Sequence, residues 1–212
     1  MPRVLIFANG QLPNLDSARA LLRADDILIG ADGGTRHIFA LGLSPRLIVG
    51  DLDSLTDSDK AKAIAENVQI VKYPRDKNET DLELAIQHAR EFAPETILVV
   101  AALGNRLDQT LANLALLSEP SLAALNLRAN DGVEEAFFCQ EQAEVRGRRG
   151  DLVSLIPWGD AVEGVRTNGL KWPLSDETLY PHKTRGVSNE LLDETASIAI
   201  RSGLLLIVHR RL

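Results

Sequence analysis

The chain has 212 residues, of which 45% are hydrophobic and 25% charged, with a formal net charge of −7 and one cysteine, Cys139. This composition excludes a disordered, fibrous or disulfide-stapled protein, and a chain of this length buries enough apolar surface to fold as one large domain or two modest ones. The acidic balance argues against a nucleic-acid partner, and no apolar run approaches the ~20 residues of a membrane span. The stretch Met1 to Ala8 lacks the features of a signal peptide, so the expected setting is cytoplasmic, with no membrane partner.

Residues 1–130 alternate short apolar runs with helical patterns, the mark of parallel strands joined by crossover helices. Strands are predicted at Arg3 to Ala8, Asp26 to Ala31, Leu47 to Gly50, Val68 to Lys72 and Thr96 to Ala102. Helices are predicted at Leu15 to Arg23, Gly34 to Leu41, Asp57 to Glu66, Glu79 to Phe92 and Asp108 to Leu117. In the fourth helix Leu82, Ile86 and Ala89 recur at helical spacing and lay one apolar stripe on the sheet. Residues 131–212 change character: short β-rich runs separated by glycine and proline read as antiparallel β, with Ala196 to Arg201 and Leu204 to His209 joined at Ser202-Gly203 as a hairpin. The fold class is therefore α/β, a doubly wound, mainly parallel sheet with helices on both faces, followed by an antiparallel β domain.

In open parallel sheets ligands bind beyond the carboxyl ends of the strands. The residues that follow the predicted strands share a chemistry: Asn9 and Gly10; Asp32, Gly33 and Gly34; Gly50, Asp51, Asp53 and Ser54; Arg75 to Asp81; and Gly104, Arg106 and Asp108. Asp51 and Asp53 project to one side if the strand stays extended, and paired carboxylates beside a polyphosphate suit Mg2+. Alternatively Asp53 and Ser54 cap the helix near Thr56, and Asn78 or Thr80 cap the next one. Gly33 and Gly34 are either a phosphate-approach turn or a plain tight turn. Neither the dinucleotide fingerprint nor the Walker A loop is present. Downstream, Trp172 stands in a Gly- and Pro-containing loop, where it either joins the core or stacks on a flat heteroaromatic ring.

In order along nearly the whole chain, Asp32-Gly33-Gly34, Gly50-Asp51-Leu52-Asp53-Ser54, Lys77-x-x-Thr80-Asp81-x-Glu83, Gly104-x-Arg106-x-Asp108, Gly169-Leu170-Lys171-Trp172 and Gly186-x-Ser188-Asn189-Glu190 resemble the thiamine pyrophosphokinase family. Asn78 and Gln109 depart from the forms common in bacterial members, and Asn78 supplies no carboxylate. The resemblance implies a nucleotide-binding catalytic domain at 1–130 and a β-sandwich domain at 131–212 that binds thiamine and dimerises. It implies a homodimer that uses Mg2+ and moves diphosphate from ATP to the hydroxyl of thiamine, releasing AMP. On this reading Asp51, Asp53 and Asp81 hold the metal and, with Asp108, serve catalysis; Asn9, Asp32, Gly33, Gly34, Lys77, Thr80 and Arg106 bind ATP; and Trp172, Ser188 and Asn189 bind thiamine. A pyrophosphokinase acting on a hydroxymethyl pterin and a non-catalytic nucleotide or thiamine sensor are the alternatives.

Overall fold

The computed structural model describes residues 2–104 and 106–212; Met1 and Asn105 lie outside the described residues. The chain divides into two compact units, Met1–Gly132 and Val133–Leu212.

The first unit carries strands β1 (Arg3–Phe7), β2 (Ile27–Ala31), β3 (Leu47–Gly50), β4 (Gln69–Lys72), β5 (Thr96–Val100) and β6 (Asn126–Asn130), alternating with helices α1 (Leu15–Ala20), α2 (Thr35–Ala40), α3 (Asp57–Ala65), α4 (Asp81–Ala89) and α5 (Leu107–Leu117). The strands pair in the order β6-β5-β1-β2-β3-β4, with all neighbouring pairs in this order parallel. From β1 the chain adds β2, β3 and β4 on one side and then returns to place β5 on the other, so a topological switch falls between β1 and β5, where such sheets open a crevice. The central strands are apolar throughout because both faces are covered. Leu5, Phe7 and Leu28 pack with Ala18 of α1 and Ile38 of α2, while α4 lies on β1, β2 and β3. The sixth strand has no counterpart in the sequence reading: in Asn-Leu-Arg-Ala-Asn only Leu127 and Ala129 are apolar, a pattern too short to separate from a loop.

Gly34 shows how closely these layers approach. Its backbone is helical (φ −60°, ψ −23°), so conformation alone would accept any residue, but a Cβ there would lie 1.8 Å from the carbonyl oxygen of Phe7. Gly34→Ala is expected to destabilise the protein by about 1–3 kcal/mol, the usual cost of forced overpacking. Urea unfolding of the two proteins side by side checks this, and an unchanged midpoint would disprove it.

The second unit holds β7 (Glu134–Cys139), β8 (Gln142–Arg146), β9 (Leu152–Pro157), β10 (Val162–Asn168), β11 (Ser175–Leu179), β12 (Asn189–Glu190), β13 (Thr195–Ala199) and β14 (Leu205–Arg210). They form two antiparallel sheets, β12-β9-β14-β7 and β11-β10-β13-β8. Val153, Leu155, Leu205 and Ile207 of one sheet share a core with Val145, Val165, Ala196 and Ile198 of the other, which makes the unit a sandwich.

The hairpin predicted across Ser202-Gly203 does not form. β13 pairs with β8 and β10, whereas β14 pairs with β7 and β9 in the opposite sheet. The intervening residues make a corner: the Ile200 N–H donates to the Glu141 carbonyl, Ser202 bridges to Glu163, and Gly203 takes φ +98°. Alternating apolar residues in the two strands face one core from opposite sides, a pattern that two strands of one hairpin also give.

Candidate functional site

The loops beyond the carboxyl ends of β1, β2, β3 and β5, with the loop before α4, enclose a cavity of about 410 Å³. Asn9, Asp32, Asp53, Ser54, Lys77, Thr80, Asp81 and Arg106 line it, together with Gln109 and Asn113 of α5.

Its acidic part depends on unusual backbone. Asp32 follows β2 with φ +43°, and Leu52 has φ +66° between Asp51 and Asp53. The strand does not stay extended past Gly50, as the sequence reading supposed; the left-handed residue folds Asp53 back so that its N–H donates to Asp51 Oδ1 at 3.0 Å. Gly50 has φ +148°, and a Cβ on it would meet Asp32 Cβ at 2.9 Å and Asp81 Oδ1 at 3.0 Å. A glycine here thus lets two carboxylates approach each other. Asp32, Asp51 and Asp53 each present an oxygen atom within 4.8 Å of the others, a set of hard donors that suits Mg2+. Asp32 is buried, and its Oδ1 has no hydrogen-bond partner, a costly state for a carboxylate that a cation would relieve. The structure therefore groups Asp32 with Asp51 and Asp53.

Asp81 stands beside this group. Its Oδ1 lies 3.0 Å from the Lys77 ammonium, as an ion pair without hydrogen-bond alignment. Burial raises its carboxyl above the usual range, Lys77 opposes that rise, and the charges of Asp32 and Asp51 add to it. A raised carboxyl binds protons more readily folded than unfolded, so ionised Asp81 costs stability as pH climbs through its folded value.

The capping alternatives also resolve. Thr56 is the N-cap of α3, in a capping box with Asp59, so Asp53 and Ser54 are not used as caps; Thr80 caps α4 by accepting the Glu83 N–H. Arg75 Nε lies 3.4 Å from Asp53 Oδ2. Asp108 does not line the cavity. It is bound by Arg106, with Nε to Oδ1 at 3.1 Å, and the hydrogen bonds from Arg106 hold its carboxyl below the usual range. Neither Gly33 nor Gly34 lines the cavity: Gly33 packs on Asn9, and Gly34 on the Phe7 carbonyl. Gln109 and Asn113 were not among the expected site residues, although their i,i+4 spacing places them on one face of α5. Asn113 Nδ2 donates to the Ala102 carbonyl at 2.8 Å.

In the second unit Trp172, Thr184, Arg185, Gly186, Val187, Ser188 and Asn189 line a cavity of about 350 Å³. Trp172 is 47% exposed, whereas Asn189 is buried. The Asn189 side chain is spent on the Trp172 backbone, accepting its N–H at 3.0 Å and donating to its carbonyl at 2.7 Å. Asn189 thus sets where Trp172 stands. Ser188 takes φ +57° and donates its N–H to Ser154 Oγ. Lys171 Nζ pairs with Glu190 at 2.8 Å and lies 4.7 Å from the centre of the Trp172 ring.

A parallel α/β unit with an acidic, cation-bearing cavity at its topological switch, in one chain with an antiparallel sandwich, defines a two-domain class of enzyme-like architecture. The family model described as thiamin pyrophosphokinase, catalytic domain, matches residues 18–128, and that described as thiamin pyrophosphokinase, vitamin B1 binding domain, matches residues 140–205. The chain belongs to the thiamine pyrophosphokinase family. It is 26% identical over 182 residues to the thiamine pyrophosphokinase of Bacillus subtilis (strain 168), covering 85% of each chain, and 25% identical over 225 residues to thiamine pyrophosphokinase 1 of Oryza sativa subsp. japonica, covering 95% of this chain and 84% of the other. Among solved structures, the Bacillus subtilis thiamine pyrophosphokinase superposes with a TM-score of 0.89 at 23% identity, covering 99% of both chains. That of Geobacillus thermodenitrificans gives 0.85 at 25% identity, covering 98% of this chain and 97% of the other. No helix among the described residues is long and apolar enough to cross a membrane.

Proposed function

We propose that the protein transfers diphosphate from Mg-ATP to the hydroxyl of thiamine, giving thiamine diphosphate and AMP. The observation that carries this reading is the convergence of Asp32, Asp51 and Asp53 oxygens within 4.8 Å beside a cavity lined by Lys77 and Arg106. The fit of the metal rests on the orphaned Asp32 oxygen and the all-oxygen donor set. Asp32, Asp51 and Asp53 would hold Mg2+, which would supply charge neutralisation on the phosphate chain.

In the transfer, the thiamine oxygen forms a bond to the β-phosphorus while the bond from that phosphorus to the α,β-bridging oxygen breaks, and AMP departs with the electron pair. The protein's work is to position the reactants and offset charge. Lys77 and Arg106 face the cavity as cations for the phosphates, and Thr80 fixes the start of α4 beneath Asp81. Asp81 lines the cavity and Asp108 does not, which favours Asp81 as the group that takes the hydroxyl proton. Trp172, held by Asn189 and flanked by Ser188, offers an exposed ring on which a flat heteroaromatic vitamin would stack. We further read the protein as a cytoplasmic homodimer; the half-exposed Trp172 and Val187 beside the second cavity and the single cysteine support this.

Incubation with Mg2+, ATP and thiamine should generate AMP and thiamine diphosphate in equal amounts, and omission of thiamine should suppress both. Tight nucleotide binding without AMP would replace this reading with that of a sensor.

A further inference from the structure

Arg36 is the exposed second residue of α2, and among the described residues no carboxylate stands within ion-pair distance of it. The other cations near the acidic group are already paired: Lys77 with Asp81, Arg75 with Asp53 and Arg106 with Asp108. The Arg36 guanidinium instead spends its N–H groups on neutral acceptors. Its Nη2 donates to Asn9 Oδ1 at 2.8 Å and its Nε to the Gly33 carbonyl at 3.1 Å.

These contacts fix the direction of the Asn9 amide. A guanidinium can only donate, so the Asn9 atom that meets it is the oxygen, and the NH2 group points the other way. Asn9 Nδ2 lies 3.4 Å from Ser54 Oγ, a long contact, and Ser54 Oγ donates to Asp53 Oδ1 at 3.2 Å. A chain of donors of one polarity therefore runs from Arg36 through Asn9 and Ser54 to Asp53, each member orienting the next. Gly33 closes the back of the arrangement, because a Cβ on it would lie 2.4 Å from Asn9 Oδ1. Asn9 lines the cavity and has two N–H groups, of which the chain uses one.

We propose that Arg36 is a positioning residue: it clamps Asn9 so that the amide presents an N–H donor to the cavity, where it recognises the β- and γ-phosphates of the bound nucleotide. Arg36 also leaves an unneutralised positive charge at the rim next to that donor. The proposal rests on the reading of the cavity as a Mg-ATP site. It makes Asn9 a ligand of the anion and not of the metal.

Asn9→Asp separates the two. The carboxylate keeps and strengthens the clamp on Arg36 but turns an acceptor toward the cavity in place of the donor. Calorimetric titration with Mg2+ and α,β-methylene-ATP, with AMP as the comparator lacking β- and γ-phosphates, supplies the readout. Asn9→Asp should weaken binding of the triphosphate analogue tenfold or more while AMP binding and the melting temperature hold, and KM for Mg-ATP should rise with KM for thiamine unchanged. Arg36→Ala, at an exposed position that cannot unfold the core, should weaken the analogue severalfold, again sparing AMP, and Arg36→Lys should recover part of the loss. If Asn9→Asp binds the analogue as tightly as the wild type or more tightly, or if Arg36→Ala changes nothing, the clamp is overturned and the nucleotide site stands. If the wild type binds neither nucleotide, the site reading and the clamp fall together.

Discussion

Asp32→Asn is expected to lower AMP formation by about two orders of magnitude or more, the scale of losing one strong electrostatic contact to the reacting phosphates. The same change should leave the metal-free protein as stable as the wild type or more stable. The two effects have one cause. Asp32 is buried with an oxygen that nothing satisfies, and it shares the cluster with Asp51 and Asp53. Three carboxylates so close repel one another until a cation arrives, and an unpaired buried charge is paid for out of folding stability. Asparagine keeps the shape, accepts the φ of +43° better than most residues, and removes the charge. Melting temperatures with and without Mg2+ and nucleotide test the stability arm: the ligand-induced rise should shrink in the variant. Full activity at saturating Mg2+ would take Asp32 out of the site.

This group was only partly legible in the sequence. Asp32, Asp51, Asp53 and Asp81 could be found because a parallel strand ends where its ligand begins, and the apolar runs of β2 and β3 mark those ends to the residue. What could not be read was which carboxylates meet. The i,i+2 spacing of Asp51 and Asp53 suggested an extended strand, but the left-handed Leu52 brings them together through a turn, and nothing in a leucine announces φ +66°. Asp32 reaches the pair because Gly50 has no side chain, a through-space relation between two loops. Arg36 escaped for a similar reason: an arginine on the second position of a helix is ordinary, and its meaning comes from Asn9, twenty-seven positions away in the chain. In the second unit the core alternation of β13 and β14 was visible, but alternation fixes which residues face inward and leaves open whether the two strands share a sheet. For Trp172 the sequence left both a core position and an exposed stacking ring open, and the structure leaves the ring half-exposed; Asn189, paired to its backbone, is the residue that holds it.

The sandwich has its own exacting position, and Asp151→Ala is expected to destabilise the protein by about 3–5 kcal/mol, the cost of removing one partner of a buried, hydrogen-bonded pair. Asp151 is 3% exposed, and its carboxylate accepts the Arg148 N–H at 2.9 Å, the Leu212 N–H at 3.1 Å and the His209 Nε2–H at 3.0 Å. His209, fully buried on β14, has Glu135 3.9 Å from its Nδ1. Alanine at 151 would strand three donors at once. Burial alone would raise the Asp151 carboxyl, but the N–H groups of Arg148 and Leu212 and the His209 ring outweigh it and hold the group below its usual range. A carboxyl depressed in the folded state adds stability that is present above the usual value of about 4 and is lost as pH falls through the folded value. The stability gap between wild type and Asp151→Asn should therefore be full at pH 7 and narrow in acid. The consequence extends to the second cavity, because the Leu191 N–H donates to the Asp151 carbonyl and the Gly150 N–H to the Leu191 carbonyl, holding the segment that carries Asn189. Urea unfolding of both variants at pH 7 and near pH 3 measures the effect; a loss under about 1 kcal/mol for Asp151→Ala at pH 7 would mean that solvent reaches the three donors and that the carboxylate is not what fastens β14 to the sandwich.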